Sequence, residues 1–234
     1  MNRVAATMVC DARLQFRNGF YFAAGVVAVF WMLALTQLPD KWLTLLMPVF
    51  VMSNLTINNF YFIAGLILLE KAEGSLESRV VTPLRPGEYL LSKVATLTGL
   101  SILENVLIVI VAVGSGVQYG WLIAGIVGTS VLYGLIGFLV VARYDSINEY
   151  LFPSALYTTF LSLPLLYYFD IVTNPLMMLH PLLGPLMLLQ AAFQEVSAWK
   201  IVYALLITVV ATCLFFLWCQ RAFVRFVIRK ERGR

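Results

Sequence analysis

The sequence predicts an all-α, polytopic membrane protein with six transmembrane helices and short helices at both faces, and three observations predict it. Hydrophobic residues make up 61% of the 234, charged residues only 12%, and the mean hydropathy is +0.89. Soluble domains are about half apolar and a quarter charged, so this composition cannot supply an ordinary water-facing surface. Six apolar runs, 20–37, 42–69, 93–113, 120–141, 150–169 and 201–218, come close to or exceed the roughly 20 residues that cross a hydrocarbon core of about 30 Å. With six crossings, 14 of the 16 basic residues fall on one face and only Lys41 and Lys200 on the other. Because Lys and Arg are retained on the cytoplasmic side, both termini are expected there. A seventh run, 175–192, is interrupted by Pro175, Pro181, Gly184 and Pro185 and would part the basic N-terminus from the basic tail. It is expected as two short interfacial or re-entrant helices.

Residues 1–19 precede the first span. The first apolar run lies too late and is too long for a cleaved leader, so the first helix is expected to stay. On a 3.6-residue wheel Val4, Ala5, Met8, Val9, Ala12 and Phe16 share one face, and Arg3, Arg13 and Arg17 lie opposite. That pattern fits a helix in the cytoplasmic interface and equally a simple orientation anchor. Spans one and two occupy 20–69. The second carries Asn54, Thr56, Asn58 and Asn59, and Asn54 and Asn58 stand one helical turn apart.

Residues 70–92 form a cytoplasmic region too long for a minimal turn. A short helix over 70–81 mixes Glu70, Lys71, Glu73, Glu77 and Arg79 with Leu76, Val80 and Val81. It is ended by Thr82 and Pro83, and Leu84, Arg85, Pro86 and Gly87 turn the chain into the third span. It reads either as an amphipathic helix that docks into a partner's groove or as a solvated connection.

Spans three to five occupy 93–169. Glu104, beside Asn105, lies eleven residues past Lys93 and so about 16 Å along a helix, near mid-membrane. Ionisable and amide groups at that depth face a cavity or a partner, which makes Asn54, Asn58, Asn59, Glu104 and Asn105 the candidate substrate path. For Glu104 three readings stay open: a contact for cationic or amphipathic cargo, a structural hydrogen bond to a second-span amide, and a proton relay. Gly125, Gly128, Gly134 and Gly137, with Ala124, form a small-residue stripe suited to close helix packing. Pro164 should free the Phe160 carbonyl and kink the fifth span, which ends in the interfacial aromatics Tyr167, Tyr168 and Phe169. Residues 170–200 are expected as the extracellular helices, 201–219 as the sixth span, and 220–234, with six basic residues and one acid, as a tail that favours anionic lipid.

No catalytic or metal site is expected. His180 is the single histidine and has no carboxylate beside it; Ser115 shares its face, in a motif too short to define a nucleophile. Cys10, Cys213 and Cys219 lack ligand spacing. The Asn54 to Thr56 glycosylation pattern falls inside a span. A G-x-x-x-x-G-K-[ST] phosphate loop is absent from the sequence, so ATP and its Mg²⁺ would have to be held by another subunit.

An acid leaving the second span, then E-G-S-L-E, T-P-L and Y-L-L-S-K, occur in order: Glu70, Glu73, Gly74, Ser75, Leu76, Glu77, Thr82, Pro83, Leu84, Tyr89, Leu90, Leu91 and Lys93. With the topology of the whole chain, this pattern resembles the type-2 ABC transporter permeases, and the opening DARLQFRNGFYFAAG, 11–25, is similar to their fluoroquinolone-export subgroup. The resemblance implies a single transmembrane domain over 1–234 that binds no cofactor itself. It implies that Glu70, Glu73, Gly74, Ser75, Leu76, Glu77, Thr82, Pro83 and Leu84 couple the domain to a separate ABC ATPase carrying ATP and Mg²⁺. It also implies a second permease copy, identical or related, and export of a small hydrophobic or amphipathic compound, a drug by the subgroup, across a prokaryotic cytoplasmic membrane. Membrane lipids are expected partners and nucleic acid is not. The residues themselves leave an alternative: an ATP-independent proton-coupled carrier that uses Glu104, or a non-transporting scaffold.

Overall fold

A computed structural model describes residues 3–74 and 85–225. Helix α1 (Arg3–Arg17) is followed by Gly19, whose φ of +78° suits glycine, and the chain bends by 65° into α2 (Phe20–Leu35). Helix α3 (Asp40–Leu55) continues through a π-helical turn (Thr56–Tyr61) into α4 (Phe62–Ala72). Helix α5 (Pro86–Ala112) starts with proline at its first position, and the Glu88 carboxylate accepts the Arg85 N–H at 2.9 Å. Then follow α6 (Tyr119–Val141), α7 (Ile147–Leu161), α8 (Pro164–Tyr168), a 3₁₀ turn (Pro175–Leu179), α9 (Leu183–Ala191) and α10 (Ala198–Phe223).

Among the described residues four stretches are long and apolar enough to cross a membrane: Lys41–Ala72, α5, α6 and α10. The bent pair α1 and α2 makes a fifth when counted as one span. The run expected as a fifth crossing, 150–169, is broken into α7 and α8 just before Pro164. The break follows from chemistry: proline has no N–H for the Phe160 carbonyl, which accepts from Leu163 at 3.2 Å instead.

Helix α6 is the central post, and its glycine stripe faces inward. A Cβ on Gly137 would sit 2.8 Å from the Phe60 carbonyl oxygen in the π-helical turn; one on Gly125 would sit 2.8 Å from the Leu189 backbone nitrogen of α9. Glycine is thus required where two backbones nearly touch α6, and the stripe serves packing within the chain. Helix α9 threads between α6 and α10, with Pro185 and Thr208 beside Gly128. Gly128 is nine residues into α6, about 13 Å at 1.5 Å per residue. The Gln118 N–H at the start of α6 donates to the Ala192 carbonyl at 3.0 Å. The 183–192 segment therefore reaches partway along α6 beside Gly128 and runs back to its first turn. At the opposite end the Phe223 ring lies 5.1 Å from that of Tyr89, while Asp11 of α1 meets the next residues of the same helix, so both ends of the described chain share one face.

Candidate functional site

The second-span amides and the third-span acid meet in one buried cluster. The π-helical turn holds Asn58 and Asn59, and both, with Asn54, Glu104 and Asn105, are at most 6% exposed. Asn54 Nδ2 donates to Glu104 Oε1 at 3.2 Å and to Asn105 Oδ1 at 3.1 Å, and Asn58 Nδ2 donates to Glu104 Oε2. Both carboxylate oxygens are therefore held by amides. Asn59 Nδ2 donates to Ser101 Oγ at 2.8 Å and to Ser130 Oγ of α6 at 3.3 Å, and Asn105 Nδ2 closes on the Ser101 carbonyl at 2.8 Å. A regular α-helix would swing Asn59 about 100° away from Asn58; the wider turn keeps both amides inside. Asn54 Oδ1, Asn58 Oδ1 and the Thr98 and Thr129 hydroxyls have no partner among the described residues, so the cluster retains capacity for a further polar group.

A second cluster clasps the base of the 73–88 segment. Lys93, fully buried, donates to Glu70 Oε1 at 2.7 Å and to Asp11 Oδ1 at 3.3 Å. Tyr89 Oη donates to Glu70 Oε2 and Ser92 Oγ to Asp11 Oδ2, each at 2.6 Å. Charge-assisted bonds of this length hold α1, α4 and α5 as one unit. Lys71 reaches the other way: its Nζ donates to the carbonyls of Ala142 at 3.3 Å and Tyr144 at 2.6 Å, and pairs with Asp145 at 3.6 Å. This cation sits at the C-terminal end of α6, where the helix dipole favours it. Arg17 and Glu73 add a weaker, exposed pair at 3.8 Å. The last turn of α4 thus ties together the ends of α1, α5 and α6 and the connection that leads into α7.

Of the residues expected to couple to an ATPase, Glu70 is turned into this knot and is fully buried, while Glu73 and Gly74 lie just beyond it. Ser75, Leu76, Glu77, Thr82, Pro83 and Leu84, and with them most of the helix expected over 70–81, lie outside the described residues. Helix α1 also differs from the wheel. It buries the polar Asp11 and Gln15 against α5, where Gln15 Nε2 donates to Thr96 Oγ1 at 2.8 Å, and leaves Val9 and Phe16 exposed. His180 packs 5.4 Å from the Phe160 ring and accepts the Leu182 N–H on Nδ1 at 3.3 Å.

Residues 2–231 match the model of the fluoroquinolones export permease protein family. The chain belongs to that family. Two proteins named fluoroquinolones export permease protein, from Mycobacterium tuberculosis strains CDC 1551 / Oshkosh and ATCC 25618 / H37Rv, are each 29% identical over 234 residues, which is 99% of this chain and 99% of each relative. This export permease is accordingly a membrane transport protein. Its buried clusters were only partly legible beforehand. Asn54, Asn58 and Glu104 followed from helical spacing and rise. Ser101 and Ser130 were missed, because small hydroxyls within apolar spans look like packing. Asp11 was missed as well, though a lone acid in a basic helix and a lone lysine opening an apolar span are each incomplete without a partner.

Proposed function

We infer that the chain is the permease subunit of an ATP-driven exporter of the ABC type, moving a small amphipathic compound of the fluoroquinolone class outward across the cytoplasmic membrane. The observation that carries this reading is the family match over nearly the whole chain. The knot at the base of the 73–88 segment gives it a mechanism. A segment that leaves at Gly74 and returns at Arg85 between clasped helices delivers a push from a docked ATPase to α1, α4, α5, α6 and α7 together. ATP and Mg²⁺ belong to the partner, and two permease copies enclose the path. Six crossings with both termini cytoplasmic follow from the basic-residue bias. In each copy the Asn54, Asn58, Asn59, Glu104 and Asn105 cluster supplies the polar part of an otherwise apolar path. Transport requires that ATP and cargo each favour one arrangement of the bundle over the other.

The test is gentle-detergent affinity purification of the full-length chain from its native membrane, with mass spectrometry of what accompanies it. A stoichiometric ABC ATPase that is lost on Glu77→Arg supports the pump; a chain that purifies alone or only with itself removes it. Glu104→Gln separates the carrier. A proton-coupled carrier would stop, whereas the ATP-driven exporter keeps transport and changes its substrate range or stability.

A further inference from the structure

On the face opposite the termini a cavity of about 170 Å³ opens between α8, α9 and the first turn of α10. Leu183 and Met187 of α9, both buried, give it an apolar floor, while Asp170, Lys200, Tyr167 and Gln190 supply polar walls. Asp170 and Lys200 thus bring opposite charges to one small space, and neither side chain has an ion-pair partner among the described residues. The backbone reinforces the positive side. Lys200 lies in the first turn of the 26-residue α10, whose cap residue Ser197 makes no side-chain bond to it.

Asp170 stands where the backbone prefers glycine. It is the C′ residue of α8: its N–H donates to the Tyr167 carbonyl at 3.1 Å and the Ile171 N–H to the Leu166 carbonyl at 3.0 Å, the Schellman pattern. Its φ of +55° is the single positive value at a non-glycine among the described residues. Asp170 and Lys200 line one cavity, so a ligand carrying both charges would meet an opposite charge for each.

We propose that this cavity is a subsite for the charged end of a zwitterionic amphipath. The Lys200 ammonium takes its anionic oxygen, Asp170 takes its ammonium, and the apolar remainder lies along Leu183 and Met187. The volume is well below the roughly 300–1,000 Å³ that encloses a whole drug-sized ligand, so the subsite receives a head group only. The inference deepens the export reading and rests on it for the occupant: cargo on the exit side. A zwitterionic phospholipid head group carries the same chemistry, and the test separates the two sources.

The full-length chain is placed in nanodiscs of phosphatidylglycerol alone and titrated with a fluoroquinolone bearing a free carboxylate and a basic amine, followed by the probe's own fluorescence. Its ethyl ester and its N-acetyl derivative, each lacking one charge, are titrated beside it. The expected result is binding of the zwitterion roughly tenfold tighter than either derivative, one lost charge contact each. Lys200→Met should abolish the preference over the ester. Asp170→Asn and Asp170→Gly, both compatible with positive φ, should abolish the preference over the N-acetyl compound without loss of thermal stability. Equal affinity for all three probes, or variants that keep the wild-type preference, overturns the proposal. If phosphatidylethanolamine displaces the probe and co-purifies with the wild-type chain but not with Asp170→Asn, the occupant is lipid and the cargo assignment falls. No ATPase enters the binding measurement, so charge-selective binding without transport sinks the pump reading alone, and transport with charge-blind binding sinks the subsite alone.

Discussion

Lys93 is the residue on which most depends at the basal end. It is fully buried between Asp11 and Glu70, and removing one member of a buried charge cluster leaves the others uncompensated. Lys93→Met is expected to destabilise the chain by about 3–5 kcal/mol, read as a fall in the melting temperature of the purified protein. The triple change Asp11→Asn, Glu70→Gln, Lys93→Met, which removes these three charges together, should recover much of that loss. At mid-span, Asn58→Leu strips one donor from Glu104 and should cost about 2–3 kcal/mol. Adding Glu104→Gln should return part of it, giving a double-mutant coupling of at least about 1 kcal/mol. The two clusters differ in how far the sequence betrays them. Asn54, Asn58 and Glu104 lie within two neighbouring spans at readable helical spacing, whereas Asp11 and Lys93 are 82 residues apart and nothing local links them.

The element that decides the mid-span geometry is the π-helical turn Thr56–Tyr61. No periodicity in the sequence announces it, because a continuous apolar run gives no phase against which a slip can be seen. It was legible only as a concentration of amides. Deleting the half-exposed Ile57 should restore regular winding and leave Asn58 and Asn59 three and four positions after Asn54, so that all three amides keep one face. Transport with the chain still inserted is therefore expected to survive the deletion, checked by uptake assays beside a membrane-fractionation blot. Gly137 holds α6 against this turn, so Gly137→Leu should cost about 1–3 kcal/mol by overpacking. The glycine stripe and the Pro164 break were both foreseen, since each acts through the backbone near its own position; the partners of the stripe, α9 and the π-helical turn, depend on the tertiary arrangement.

For the whole molecule, the membrane class and the all-helical architecture followed from composition and run length, which are properties of the solvent more than of the fold. The basal knot did not, and it changes how the charges around residue 70 are understood. Beside a loop they look like a solvated face; in place they are the fastening of that loop to the bundle. Uncoupling should therefore appear as two separable defects: Glu77→Arg should lose the ATPase, while the triple variant should keep the ATPase and its hydrolysis but export poorly, measured as cargo moved per ATP. The inward-turned polar side of α1 bears on biosynthesis as well. Lys93 lies 82 residues after Asp11, so α1 can make this contact only once the start of α5 has been synthesised. Part of what holds α1 in place is thus supplied by a helix that is made much later.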